Sequence, residues 1–119
     1  MNTQSFLQDD ELEKKSTSDL IKIVDNGLLL ERARAIYLLA KRCESDEKII
    51  PHITEKIFAS KNRSAKLLGT VTVSFLGIGG LVEVDTPQAK KIVNNFMKTL
   101  SENEYKDLVF FLKQFNQNT

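Results

Sequence analysis

The chain reads as an all-α domain laid out as a row of antiparallel helix pairs. Three observations lead there. Apolar residues recur every three or four positions through most of the chain, helix-starting motifs stand at intervals along it, and Gly and Pro number only 5 and 2 among 119 residues. One stretch resists the scheme. Residues 67–85, LLGTVTVSFLGIGGLVEVD, fit either a helix or a β-hairpin, and the choice decides the fold.

Residues 1–17 hold a charge cluster with no sustained period, so a flexible arm is expected there, with Phe6 and Leu7 tucked against the body. Residues 18–115 then form one helical-repeat domain and 116–119 a frayed tail. A chain of this length builds one core rather than two. Ser18 is expected to cap a short helix over residues 19–25, with Leu20, Ile21, Ile23 and Val24 on one side and Asn26-Gly27 as a left-handed exit. A longer helix over residues 28–43 follows. Its Leu29, Ala33, Ile36, Ala40 and Cys43 step by 4, 3, 4 and 3, which holds them on one stripe. Ser45 is read as the next cap, with Asp46 and Glu47 in the first turn where the helix dipole favours anions. Pro51 requires that helix to begin near residues 48–50 or to bend there, because proline lacks a backbone donor.

In the ambiguous stretch, Ala65, Leu68, Val71, Phe75, Ile78 and Val82 keep helical step. Val71, Val73 and Phe75 also alternate with Thr70, Thr72 and Ser74 as a strand would. A lone two-stranded hairpin among helices leaves two edges to cover. The helix is therefore the main expectation, and an α+β fold with a hairpin at about residues 69–85 is the alternative. A membrane span is excluded: only 16 uncharged residues separate Lys66 from Glu83, with glycines and hydroxyls among them, against the roughly 20 apolar residues a span needs. The final helices are marked most clearly. Thr86-Pro87 is a cap followed by proline in the first turn, and Ser101 with Glu104 forms a capping box.

Net charge is +1, which gives no global argument for nucleic acid or membrane. Residues 1–60 carry 9 basic against 11 acidic side chains and residues 61–119 carry 8 against 5, a mild asymmetry. Cys43 is the single cysteine and no apolar leader opens the chain, so a cytoplasmic location is expected. His52, the only histidine, has no ligand-spaced companion and reads as a surface residue. Cys43 reads as a buried structural thiol. Gly77-Ile78-Gly79-Gly80 lacks the context of a phosphate loop and is expected to be a helix exit. No catalytic residue, metal or cofactor is assigned.

Two segments look alike. Residues 33–40 precede residues 47–57 as residues 73–79 precede residues 86–96: an apolar helix rich in small residues, a turn, then a helix opened by acidic residues or proline. The spacing is roughly 35–40 residues, a solenoid period. Leu76-Gly77-Ile78-Gly79 resembles the close of the first helix, and Ile50-Pro51-His52-Ile53 the proline-bearing start of the second, in HEAT-like repeats of the phycobilisome-lyase type. The resemblance covers about residues 28–100. It implies a short right-handed solenoid, a non-enzymatic adaptor that binds a protein partner along the second helix of each pair. The residues so exposed are His52, Glu55, Lys56, Lys90, Lys91, Asn94 and Lys98. The lysines, with Lys61, Arg63 and Lys66 upstream, make a basic strip suited to an acidic protein. A nucleic-acid-binding helical domain, winged if residues 69–85 form a hairpin, ranks second because no aromatic residues interleave the cations. Phe110 and Phe111 on the last helix are expected to form an apolar patch for a homodimer.

Overall fold

A computed structural model describes residues 10–116. Its organising element is helix α6, Val73–Val84, in which every residue except Val82 and Glu83 is buried. A helix that is apolar on all sides has neighbours on all sides, and α6 packs against α3 (Leu29–Lys41), α4 (Ile50–Phe58), α5 (Ser60–Ser64), α7 (Pro87–Met97) and α8 (Glu102–Asn116). Ahead of these stand α1, Asp10–Glu13, and α2, Thr17–Asn26, which packs along α3.

The side-chain contacts give the directions. Along α3 and α6, Ile36 meets Gly77, Ala40 meets Gly80 and Lys41 meets Glu83, so the two helices run the same way. Phe111 meets Phe75 and Phe115 meets Gly79, so α8 runs that way too. The C-terminal ends of α2, α4 and α7 lie in a row, joined by Asp25 to Lys56 and by Phe58 to Phe96. The ring pair is edge-on, its centroids 5.5 Å apart, the favoured aromatic geometry.

Close approach explains the glycines. A β-carbon on Gly80 would stand 2.8 Å from Ala40 Cβ and 2.9 Å from the Tyr37 carbonyl oxygen. Gly77, Gly79 and Gly80 thus lie inside a buried helix, not at the helix exit expected for them. The exit is Asp85, in the left-handed region at φ 56°, whose N–H reaches Leu81 O at 3.1 Å.

The ambiguous stretch divides. Lys66–Leu68 (β1) and Val71–Thr72 (β2) pair antiparallel around Gly69, at φ 58°. The helix then starts on Thr72, whose Oγ1 accepts from Phe75 N at 3.2 Å. The single helix expected through Leu68 and Val71 is therefore too long at its start. The alternative hairpin over residues 69–85 is not formed, and the winged variant that rested on it loses its basis. Local β-branched propensity prevails in the exposed ribbon, and burial prevails from Val73 onward.

Smaller differences have similar causes. Ser16, not Ser18, caps α2, accepting from Asp19 N at 3.0 Å. Gly27 leaves that helix in extended backbone rather than left-handed. Asp46, not Ser45, opens the next turn, a 3-10 helix at Glu47–Ile49 that hands over to α4 with Pro51 in the first turn. Residues 10–17, expected within an arm, contain α1 with Leu12 buried, and Arg42 donates to the carbonyls of Glu13 and Lys15. Phe6 and Leu7 lie outside the described residues. Among those described, no helix is long and apolar enough to cross a membrane.

Candidate functional site: the outer face of α7

The start of α7 is set by Thr86, whose Oγ1 accepts from Ala89 N at 3.2 Å, and by Pro87 in the first turn. Ala89, Ile92, Val93 and Phe96 then face the core. Helical period leaves Lys90, Lys91, Asn94, Asn95 and Lys98 on the solvent side, and all five are exposed. Lys90 lies 3.4 Å from Asp85, with both side chains largely in water, so the pair holds little energy. Among the described residues, the side chains of Lys91, Asn94, Asn95 and Lys98 make no hydrogen bond or ion pair. Lys90 and Asn94 also border a groove of about 190 Å³ between α6 and α7, with Leu81, Val82 and Val93 as apolar wall and Asp85 at the rim.

On neighbouring α4, His52 and Glu55 are exposed as expected. Lys56 is not. Its Nζ lies 2.8 Å from Asp25 Oδ1 and 3.0 Å from Glu55 Oε1, with the side chain almost wholly covered. Burial pulls the ammonium pKa down, but hydrogen bonds and charge from Asp25 and Glu55 outweigh it and hold the pKa above the ordinary lysine value. Lys56 joins α2 to α4 and leaves the list of candidate contacts. Its partner stands 31 positions away, so helical periodicity carried no sign of the pairing.

The upstream cations are partly engaged. Arg63 lies 5.0 Å over the Phe96 ring, and Lys61 donates to the Asp25 carbonyl oxygen. Arg63 and Lys66, with Glu104 and Asp107, rim a separate cleft of about 140 Å³ floored by Phe75 and Phe96. Glu104 completes the capping box with Ser101, and those bonds hold its carboxyl below the usual range.

The expected aromatic patch on α8 is split. Phe111 is 8% exposed, stacked on Phe115 with centroids 5.3 Å apart and tilted against Phe75, while Phe110 is 65% exposed. Adjacent helical residues point about 100° apart, so the two cannot share one face. Phe111 is a core residue and drops out as a self-association contact.

Cys43 is buried, and burial, reinforced by the charge of Asp46, pushes its thiol up to about 11. It is therefore no nucleophile at neutral pH. Among the described residues no three His, Cys, Asp or Glu side chains are grouped to hold a metal ion. A second buried charge escaped sequence reasoning: Arg32, which bonds Asn62 at 2.7 Å beneath α5.

Comparison of the chain with protein-family models, curated proteins and solved structures returned no match.

Proposed function

We propose that this chain is a small, non-enzymatic, HEAT-like interaction module that binds a protein partner across the outer faces of α4 and α7. The observation that carries the reading is the row Lys91, Asn94, Asn95 and Lys98, four exposed side chains with no hydrogen bond or ion pair among the described residues. Polar side chains left uncommitted on a rigid helix are free to be matched from outside without first breaking internal bonds. His52 and Glu55 extend the surface on α4, and the apolar groove beside Asn94 offers a place for a partner side chain. The HEAT-like arrangement belongs to the same reading: like-directed α3, α6 and α8 alternate along the chain with like-directed α2, α4 and α7.

The test is affinity capture from native lysate with the wild-type chain and with Lys90→Glu/Lys91→Glu/Lys98→Glu. Charge reversal at three exposed sites should leave the fold's stability nearly unchanged and abolish retention of a discrete partner. Equal retention by both proteins removes this surface from consideration.

A further inference from the structure

The cleft between the ribbon and the start of α8 is bordered by opposite charges that leave one another unpaired. Arg63 on α5 and Lys66 on β1 supply two cations, and Glu104 and Asp107 on α8 supply two carboxylates. Among the described residues no hydrogen bond or ion pair engages the side chain of Arg63, Lys66 or Asp107. Arg63 and Asp107 are nevertheless half-buried, where an unanswered charge costs more than it does in open water. Glu104 is committed in part, its Oε1 accepting from Ser101 N at 2.9 Å.

A second observation is the floor. Phe75 and Phe96 are both buried, and each ring is braced by another: Phe111 is tilted against Phe75, and Phe58 stands edge-on to Phe96. The Arg63 guanidinium lies over the Phe96 ring, 5.0 Å from its centroid. That stacking holds the planar fork in place while its N–H donors stay without acceptors. The floor is thus preformed, and an apolar body laid on it requires no repacking.

A third concerns size and sign. The volume of about 140 Å³ is less than half of the roughly 300–1,000 Å³ of sites for drug-sized ligands, so the cleft is scaled to a molecule of amino-acid size. Its two cations and two carboxylates cancel. A simple anion entering it faces Glu104 and Asp107, and a simple cation faces Arg63 and Lys66, so a ligand carrying both charges is favoured over either. Thr70 and Thr72 also border the space, and Thr72 Oγ1 already accepts from Phe75 N, which leaves its O–H to donate.

We propose that this cleft binds a free α-amino acid with an aliphatic side chain, taken up as the zwitterion. Its carboxylate lies at Arg63 and Lys66, where the guanidinium fork can donate to both oxygens. Its ammonium donates to Asp107, and its side chain rests on Phe75 and Leu100. Charge of both signs, a rigid apolar floor and a small volume select this class together. The cleft shares no residue with the outer face of α7, so the two readings fail independently.

The test is a heteronuclear NMR titration of the full chain with L-leucine and three analogues. N-acetyl-L-leucine lacks the ammonium, L-leucinamide lacks the carboxylate, and glycine lacks the side chain. L-leucine should shift the amides of Thr70, Thr72 and Asp107 saturably. Each analogue should bind about tenfold or more weakly, the loss expected on removing one charge-assisted hydrogen bond or one buried aliphatic side chain. Asp107→Asn and Lys66→Gln should weaken leucine by a similar factor, and Lys91→Glu/Lys98→Glu should leave it unchanged. No saturable shift with millimolar leucine, or leucine binding that both rim variants leave intact, would overturn the proposal. Equal binding by N-acetyl-L-leucine would overturn it in favour of an anion site, equal binding by leucinamide in favour of a cation site, and equal binding by glycine would remove the apolar floor from recognition and the aliphatic ligand with it.

Discussion

Gly80 backs onto Ala40 so closely that one added methyl group would collide with it: the β-carbons would be 2.8 Å apart, with the Tyr37 carbonyl oxygen of the same helix at 2.9 Å. Neither neighbour is the end of a flexible side chain, so the approach of α6 to α3 sets how tightly the centre of the molecule closes.

Gly80→Ala should therefore destabilise the protein even though alanine is the better helix former. The propensity gain is about 1 kcal/mol, and overpacking a buried contact costs about 1–3 kcal/mol. A net loss of up to about 2 kcal/mol is expected in urea unfolding. Gly79→Ala meets ring carbons of Phe115 and Phe111, the nearest at 3.1 Å, and should cost less. A stabilised Gly80→Ala protein would show that α3 and α6 are not packed as described.

Lys56→Met should weaken the fold and leave partner capture intact. Removing the ammonium strands Asp25 and Glu55, but both acids reach solvent, so the loss should be about 1–2 kcal/mol rather than the larger cost of breaking a fully buried pair. Because the folded-state pKa of Lys56 is raised, the pair's contribution is complete below the ordinary lysine value of about 10.4 and is lost as pH rises through the folded value. Undiminished stability combined with lost capture would return Lys56 to the binding surface.

Cys43 gives the fold a second alkaline sensitivity, at lower pH. The unfolded thiol ionises near 9.0 and the folded one near 11. Above pH 9 the unfolded chain binds fewer protons, so stability falls as pH rises towards 11. Tyr37, buried and bonded to Glu83 at 2.6 Å, has its pKa raised too and acts in the same direction above pH 10. The cleanest window is thus pH 9–10. There, the wild type should lose urea resistance that Cys43→Ala, less stable at neutral pH, keeps. Parallel slopes in the two proteins would contradict the burial of the thiol.

Leu28→Asp, at the N-cap of α3, should raise stability. Aspartate at the N-cap accepts a backbone N–H that leucine cannot, a gain of about 0.5–1 kcal/mol. Lower stability on thermal unfolding would mean that Leu28 packs against the fold rather than standing in solvent.

Much of the fold could be read from local signals. Thr86, Pro87, Ser101 and Glu104 placed the starts of α7 and α8, because caps are written in adjacent residues. The exposure of Lys90, Lys91, Asn94 and Lys98 followed from one period of 3.6. What was hidden depends on distant partners. Lys56 looked exposed because Asp25 lies on another helix, and Arg32 sits on the buried stripe only because Asn62 arrives from α5. The junction at Thr72 was hidden for another reason. Val and Thr run through both residues 66–72 and the start of 73–84, so the Thr72 cap did not stand out until the burial of α6 showed where ribbon ends and helix begins.

The central claim is that the outer face of α7 meets a protein partner. It is tested most directly by a photo-crosslinking amino acid placed at Asn94, and in parallel at Lys106 on the exposed start of α8, in the chain expressed in its native cell. The account predicts a discrete higher-mass adduct from position 94 and none from position 106. No adduct from position 94, or the same adduct from both, would contradict it.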